Sequence, residues 1–340
     1  MKKNKLFICL IILILIIFFS ITASFKECRG SKDTGTGYSE ANNNTASSMA
    51  GSDADNTTSG TNNTTRDETD GTFTGIGSST ESSTDEKITA ESMSEYGGQN
   101  GRKAQKFAII LSGASHNRQQ YNWFLGSTGM AFKLLKNSGY SDKNIYYLFE
   151  DKNELNVDYL STLSNFKKAV QEIKSGSSAA DTILLILIGH GGYNGTSSYY
   201  VLSDYNLPDN EMADIFKDIK RDKLIFVFSP CNSGGFVDDL SGSSTVIITS
   251  TRKDEANRAA FIEPFLTAFD GSGDKDSDGK VSFAEAFNYA STSVKQQFID
   301  NSWGIQSEHA QLDDNGDKIS SEAFAQNGKD GELAGQIFLK

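Results

Sequence analysis

The sequence is poor in cysteine. It has three cysteines in 340 residues, and two of them, Cys9 and Cys28, lie in an N-terminal apolar run and in the polar segment that follows it. The rest of the chain holds only Cys231 and can form no disulfide within itself. Most lone cysteines are small buried hydrophobic residues, so the surroundings of Cys231 must decide whether it is one of these or a nucleophile.

Leucine and valine are absent from a long stretch near the N-terminus. Neither occurs between Ser24 and Ala108, and aromatic residues are sparse there. Such a segment cannot bury enough apolar surface to offset the chain entropy lost on folding. We therefore expect residues 25–103, which are rich in Ser, Thr, Asn, Gly and Asp, to be a disordered and flexible linker without chemistry of its own.

An excess of basic residues is also missing. The chain has 32 Lys and Arg against 44 Asp and Glu, a formal net charge of −12. Binding to a phosphate backbone requires a Lys/Arg footprint, so the composition argues against nucleic acid as a partner. Part of the acidity lies in one cluster of aspartates near residue 276, which indicates a bound cation.

The N-terminus has the pattern of an export signal. Three lysines among residues 2–5 precede an unbroken apolar run from Leu6 to about Ala23. This pattern predicts either a cleaved signal peptide or, at roughly 18 apolar residues, a retained membrane anchor over residues 1–24, and both remain open. In either case we expect the rest of the chain outside the cytoplasm, secreted or tethered to a membrane.

Apolar strands and amphipathic helices alternate from residue 104 onward. The run Thr182–Ile188 is apolar on both faces and is expected at the centre of a parallel sheet. The alternation predicts an α/β fold, a three-layer αβα domain over residues 104–340 with a mostly parallel central sheet. The predicted strands are 107–111, 145–149, 182–188, 224–228 and 246–249, and the predicted helices between and after them cover 121–136, 163–176, 212–219, a short segment near 264 and 283–298.

Two reactive side chains directly follow buried strands. His190 follows the third predicted strand and Cys231 the fourth, and both have glycines close by. Because ligands bind at the carboxyl ends of parallel strands, neighbouring strands would place the two side chains across a cleft. An imidazole can stabilise a nearby thiolate and deliver a proton to a leaving group. We therefore predict Cys231 as a nucleophile and His190 as its acid/base partner, not a structural pair.

These two motifs resemble those of a known group of enzymes. The segments Leu187-Ile-Gly-His-Gly-Gly192 and Phe228-Ser-Pro-Cys-Asn-Ser-Gly-Gly-Phe236 are similar to the paired motifs of caspase-like cysteine peptidases, most closely the legumain-like branch. The resemblance covers roughly residues 106–300. It implies a caspase-like fold and endopeptidase activity on protein or peptide substrates. Ser229-Pro230 departs from the Glu-Ala or Asp-Ala that commonly precedes the nucleophile, which bears on substrate binding more than on catalysis.

The resemblance also implies further site residues. The backbone N–H of Gly191 is the expected oxyanion donor, together with that of Cys231. Arg118 matches an arginine of the primary specificity pocket, where it would favour Asn or Asp in the substrate, and a solvated loop arginine is the alternative. Ser250, at the end of the fifth predicted strand, is a second candidate for this pocket. Because legumain relatives include transamidases, a transamidase is one alternative to an endopeptidase, and a catalytically inactive calcium-binding surface module is another.

Residues 274–285 match a calcium-binding loop of the EF-hand type. Carboxylates at positions one, three and five, a glycine at six and a glutamate at twelve are the pattern of this loop, and four carboxylates so spaced repel one another unless a cation joins them. Helical segments are predicted on both sides, so we expect a C-terminal EF-hand-like helical segment with a structural calcium ion. The chemistry itself needs no cofactor. The expected ligands are Asp274, Asp276, Asp278, Lys280 through its carbonyl, Ser282 and Glu285.

A second acidic run, Asp313-Asp-Asn-Gly-Asp317, lacks the full twelve-residue pattern. It is interpreted here as a turn, with a partial cation site as the alternative.

Overall fold

The computed structural model describes residues 102–256, 258–322 and 330–340. Within these ranges, none of the helices has the length and apolar character needed to cross a membrane. The predicted signal or anchor, residues 1–24, and the predicted linker up to residue 101 lie outside the described residues.

Short strands and helices alternate along the described chain. The strands are β1 Lys106–Ser112, β2 Ile145–Phe149, β3 Tyr159–Leu160, β4 Thr182–Ile188, β5 Gly191–Tyr193, β6 Ser198–Val201, β7 Asn206–Pro208, β8 Lys223–Phe228, β9 Thr245–Thr249 and β10 Gln311–Asp313. The helices are α1 Arg118–Asn137, α2 Leu163–Gly176, α3 Asp209–Phe216, α4 Val237–Leu240, α5 Ile262–Thr267 and α6 Phe283–Asp300.

The large sheet has seven strands in the order β10-β9-β8-β4-β1-β2-β3. All neighbouring pairs are parallel except β10 with β9. β4, the strand that is apolar on both faces, has three strands on each side of it, which confirms its predicted central position. The predicted mostly parallel α/β fold is therefore confirmed.

Both faces of this sheet are buried. Alternate residues of each strand enter different cores: Ile110 packs with residues of α1, α5 and α6, whereas its neighbour Ile109 packs with residues of α2, α3 and α4. This follows from the two-residue period of a strand, whose successive side chains point to opposite faces. Helices thus cover both faces, and the molecule has the three predicted layers.

A small second sheet was not predicted from the sequence. β5, β6 and β7 form an antiparallel sheet that begins immediately after His190. Its strands have only three or four residues and include Gly191, Gly192 and Pro208, so they lack the apolar alternation that identifies a strand. The sheet positions the backbone on one side of the candidate site.

Helix α1 begins three residues before its predicted start. Asn117 caps it, with its side-chain oxygen accepting the Gln120 backbone N–H at 3.0 Å. Helix α6 begins with a capping box, in which Ser282 accepts the Glu285 backbone N–H and the Glu285 carboxylate accepts that of Ser282. The helix ends therefore depend on short polar residues that apolar periodicity does not detect.

Candidate active site

His190 lies at the carboxyl end of the central strand. The preceding residue, Gly189, has a φ of 157°, and a Cβ there would lie 2.7 Å from the backbone nitrogen of Gly113 at the end of β1. The buried Tyr200 hydroxyl lies between the ends of β1 and β4, at 2.9 Å from the Leu111 carbonyl and 3.0 Å from the Ile188 carbonyl. This close packing fixes the backbone from which His190 projects.

Cys231 lies at the matching point of the adjacent strand. Leu187 of β4 pairs with Phe228 of β8, and His190 and Cys231 each follow that pair by three residues. A Cβ on Gly191 would lie 2.6 Å from the carbonyl oxygen of Cys231, so the chain just after the histidine touches the chain at the cysteine. The two strands are thus neighbours, and their ends converge as the sequence argument requires.

Polar contacts from the β9 end and from β6 hold the loop around Cys231. The Ser250 hydroxyl, which is fully buried, lies 3.0 Å from the Ser229 carbonyl and 3.3 Å from the Pro230 carbonyl. Asn232, directly after the cysteine, adopts a left-handed conformation with φ 58°. Its carbonyl accepts the Ser198 hydroxyl at 2.7 Å. Cys231 is half-buried at the tip of this sharp, well-anchored turn.

The imidazole of His190 is held by α1. Its Nε2 lies 3.1 Å from Oε1 of Gln120, and the same oxygen accepts the backbone N–H of His116 at 2.9 Å. Because that backbone group can only donate, Oε1 is an acceptor, and His190 Nε2 must donate to it. The neutral imidazole therefore carries its proton on Nε2, and Nδ1 is the basic nitrogen.

The surroundings of His190 favour its neutral form. Burial is the main cause that lowers the pKa of this imidazole, and nearby His116 lowers it further, while the Glu150 carboxylate acts in the opposite direction. The rings of His116 and His190 are 4.4 Å apart between centroids, and Phe124 meets the His190 ring edge-to-face at 5.4 Å. At neutral pH the group is poised to accept a proton.

Comparison with known proteins agrees with this geometry. The model of the peptidase C13 family matches residues 140–310. The chain belongs to the peptidase C13 family. This confirms the resemblance to legumain-like, caspase-like peptidases, and it makes the chain a cysteine peptidase or a related enzyme whose substrates are proteins.

Other comparisons add little to the C13 assignment. No curated protein matches this chain. A solved structure of a protein from Geobacter sulfurreducens is similar over 61% of this chain and 92% of that one, with 11% identity and a TM-score of 0.44.

The two substrate-pocket candidates of this C13 chain have different surroundings. Arg118 is the first residue of α1, exposed, with its guanidinium carbon 4.5 Å from the centroid of the Tyr121 ring. Ser250 is buried, and its hydroxyl contacts the carbonyls of the Cys231 loop. The structure therefore gives Ser250 a supporting position beneath the loop, and substrate binding by either residue stays a prediction.

The predicted calcium ligands lie together. Asp274, Asp276 and Asp278 each offer an oxygen within 4.8 Å of the others, and Oδ1 of Asp274 is buried without a hydrogen-bond partner. Lys280 donates its backbone N–H to Asp278 at 2.7 Å, and Gly279 has the left-handed φ of 83° expected at the sharp turn. The twelfth residue, Glu285, reaches back to the loop and accepts the Lys275 backbone N–H at 3.0 Å.

The remaining ligand candidate, Ser282, also lies at this loop. Ser282 at position nine uses its hydroxyl to cap α6 and donates to the Glu285 carboxylate at 2.9 Å. Hard oxygen donors of this kind suit calcium, and an unpaired buried carboxylate oxygen is costly without a cation. The loop residues therefore fit the ion, and its binding stays a prediction.

Sequence reasoning missed Gln120 and Tyr200. Gln120 contacts the ring of His190, which is 70 residues away in the chain, and Tyr200 contacts the carbonyl of Ile188, which is 12 residues away. Both contacts are made at the end of β4. Gln120 could have been noticed as a polar residue in the first turn of the helix after β1, but nothing local marks Tyr200.

Proposed function

We propose that this chain is an exported, calcium-binding cysteine endopeptidase that cleaves peptide bonds after Asn or Asp. The observation that carries the proposal is the placement of His190 and Cys231 three residues beyond one paired position of two adjacent parallel strands. In the runner-up function, a transamidase, the same acyl-enzyme would be resolved by an amine.

The reaction follows from the chemistry of these groups. The Cys231 thiol gives its proton to Nδ1 of His190, and the sulfur attacks the carbonyl carbon of the substrate, with the backbone N–H groups of Gly191 and Cys231 as the proposed donors to the oxyanion. The peptide C–N bond breaks as His190 delivers a proton to the departing amine. Water then loses a proton to His190 and attacks the thioester carbon, the C–S bond breaks, and His190 returns the proton to the Cys231 sulfur.

Specificity is proposed to come from Arg118. A guanidinium at the start of α1 can donate to the side-chain oxygens of Asn or Asp, and bidentate pairing with a carboxylate is especially favourable. Arg118 is two residues before Gln120 in the chain, and Gln120 contacts His190. Arg118 is therefore close in sequence to a residue of the candidate active site. Ser250 would shape the same region from beneath the Cys231 loop.

Calcium is proposed to be structural. The loop 274–285 joins the chain after α5 to the start of α6, and both helices pack into the core on the α1 face of the sheet. An ion held by Asp274, Asp276, Asp278, Glu285, the Lys280 carbonyl and Ser282 would clamp these helices. The proposed export signal of residues 1–24 would bring the enzyme to where calcium is abundant, secreted or tethered to a membrane.

A peptide-library digest tests the proposal. Wild type should cut after Asn or Asp, Cys231→Ala should not cut at all, and chelation of calcium should reduce cutting by wild type. The same cleavage pattern from wild type and Cys231→Ala would overturn the peptidase assignment. Adding an amine nucleophile and weighing the products distinguishes hydrolysis from transamidation, since a transamidase joins the amine to the new carboxyl end.

A thiol-directed covalent probe tests the dyad separately. Labelling of Cys231 that is lost in His190→Ala supports an active dyad. Equal labelling of the two proteins would indicate that the thiol is not activated by the imidazole, as expected for an inactive surface module.

A further inference from the structure

The acidic run after β10 is part of a larger cluster. Asp313, Asp317 and Asp330 each offer a carboxylate oxygen, and these oxygens all lie within 4.8 Å of one another. Asp330 is 13 residues beyond Asp317, so the sequence pattern alone does not connect it with the run. The run starts at the last residue of β10, bends at residues 315–318, and is joined in the fold by a third carboxylate.

Two of these carboxylates are buried. Asp313 is 1% exposed and Asp330 is 3% exposed. Oδ2 of Asp313 is a buried oxygen with no hydrogen-bond partner among the described residues. Burial of a carboxylate is costly unless a hydrogen bond or a positive charge compensates it.

Hydrogen bonds hold the carboxylates close together without neutralising them. Asp313 accepts hydrogen bonds from the Gly316 backbone N–H at 3.2 Å and from the Ser241 side chain, and Asp317 accepts the Ile319 backbone N–H at 2.8 Å. Asp330 accepts the Asp314 backbone N–H at 3.2 Å and the Ser321 hydroxyl at 2.6 Å. In the described part of the chain, none of the three carboxylates forms an ion pair. Like charges arranged in this way repel one another, and a shared cation removes the repulsion.

The backbone of this loop repeats that of loop 274–285 at a constant offset of 39 residues. The N–H groups of Lys280 and Ile319 donate to Asp278 and Asp317, at 2.7 and 2.8 Å. The residues before them, Gly279 and Lys318, are both left-handed, with φ of 83° and 68°. Lysine rarely adopts this conformation, which indicates that the tight turn is kept even without glycine.

The two loops differ in how they close. Counted from Asp313, the twelfth residue is Phe324, which offers no carboxylate, and Asp330 takes its place as the third acidic group. We propose that Asp313, Asp317 and Asp330 form a second calcium site, distinct from loop 274–285. The donors are all hard oxygens, which suit calcium, and one of them comes from a residue far along the chain.

The proposed ion would stabilise the loop that carries Cys231, through β10 and the start of the segment after α4. Asp313 ends β10, and a Cβ on Gly234, three residues after the cysteine, would lie 2.5 Å from Oε1 of Gln311 at the other end of β10. The Lys318 backbone N–H lies 3.2 Å from the Ser241 hydroxyl, directly after α4. Loss of the ion should therefore loosen the segment between the nucleophile and α4.

The C-terminal segment links this site to loop 274–285. Asp314 accepts the backbone N–H groups of Gly331 at 2.8 Å and Ala334 at 2.7 Å. Further along, the Phe283 N–H donates to the Ile337 carbonyl at 3.0 Å, next to position nine of the first loop. Residues 330–338 thus connect the two acidic loops, and binding at one site should stabilise the other.

Calcium titration calorimetry on the full chain, stripped of metal by a chelator, tests the proposal. Wild type should bind two calcium ions. Asp317→Ala, at an exposed position that should not disturb folding, should bind one, and so should Asp313→Asn. Asp276→Ala should also bind one, and the double variant Asp276→Ala/Asp317→Ala none. Glu332→Gln, which removes an exposed charge two residues from Asp330, is the matched control and should bind two.

The possible outcomes separate this site from the first loop. One ion in wild type that is lost in Asp276→Ala but kept in Asp317→Ala would overturn the second site. One ion that is lost in Asp317→Ala but kept in Asp276→Ala would support the second site and overturn the first. Equal binding of magnesium and calcium at the Asp317-dependent site would contradict its assignment to calcium. Far-UV circular dichroism of each variant confirms that it is folded.

Discussion

The amide oxygen of Gln120 lies 3.1 Å from Nε2 of His190 and joins the first turn of α1 to the end of the central strand. Gln120→Ala should lower kcat about tenfold with little change in KM, because a hydrogen bond worth roughly 1–1.5 kcal/mol orients the imidazole and selects its tautomer. Steady-state kinetics on a peptide substrate measures the effect. The neighbouring exposed Gln119→Ala is the control, and equal losses in both variants would contradict the positioning role.

The pH dependence of activity should follow the depressed pKa of His190. Burial and His116 both lower this pKa below 6.5, so the basic imidazole persists to more acidic solution than that of an ordinary histidine. The acid limb of kcat/KM against pH should therefore have its midpoint below 6.5. His116→Gln removes one lowering influence and should move the limb to higher pH. A shift to lower pH, or none, would contradict the electrostatic coupling of the two rings.

Gly191 allows the chain after His190 to contact the chain at Cys231. A Cβ there would lie 2.6 Å from the Cys231 carbonyl oxygen and 2.8 Å from Pro230 Cβ. Gly191→Ala should therefore push the cysteine away and reduce kcat/KM at least tenfold while the domain stays folded. Gly126→Ala in α1, where a Cβ meets nothing within 4 Å, should leave activity intact and stabilise the protein by roughly 0.5–1 kcal/mol. Urea unfolding and kinetics on both variants check these expectations, and an active Gly191→Ala would argue against a tight dyad.

The buried Tyr200 hydroxyl should contribute measurably to stability. It lies 2.9 Å from the Leu111 carbonyl and 3.0 Å from that of Ile188, so Tyr200→Phe removes a donor from two buried strand-end carbonyls. The expected loss is about 1–3 kcal/mol in the free energy of unfolding. Tyr193→Phe, whose hydroxyl bonds to Gly195 on the surface, should cost under about 0.5 kcal/mol. Equal losses would contradict the anchoring role of Tyr200.

Glu308 should make folding stability depend on pH. Its carboxyl group is fully buried, and burial, with a smaller contribution from Glu255, raises its pKa to about 7 although three backbone N–H groups act in the opposite direction. The native state keeps this proton at pH values where the unfolded chain, with a pKa near 4.5, has lost it. Stability from this group is therefore present below about pH 4.5 and is lost as pH rises through about 7.

Glu308→Gln should remove that dependence. Between pH 5 and 8 the free energy of unfolding of wild type should fall by about 3 kcal/mol because of Glu308, and that of the variant should not show this fall. Urea midpoints at several pH values measure the difference between the two proteins. The exposed Glu332→Gln is the control and should follow wild type. Parallel curves for wild type and Glu308→Gln would show that Glu308 does not titrate in this range.

Much of the fold was determined by the sequence itself. The apolar runs at 107–111, 145–149, 182–188, 224–228 and 246–249 are strands within one residue of their predicted ends, because a fully buried strand needs apolar side chains on both faces. The same argument placed His190 and Cys231 at one edge of the sheet, since parallel strands end together. Helix ends were less certain, because caps such as Asn117 depend on a single polar side chain.

Only the tertiary structure decided which distant groups meet. Gln120 reaches His190, Tyr200 reaches the ends of β1 and β4, and Asp330 joins Asp313 and Asp317, none of which follows from local periodicity. The apolar pattern of a segment shows which of its faces is buried, because burial of that face lowers the free energy. The contacts between distant residues depend instead on the register of the strands and on the conformation of the loops that join the segments. The sequence thus determined the layers and the two reactive residues, and the packing of the layers determined the surroundings that tune them.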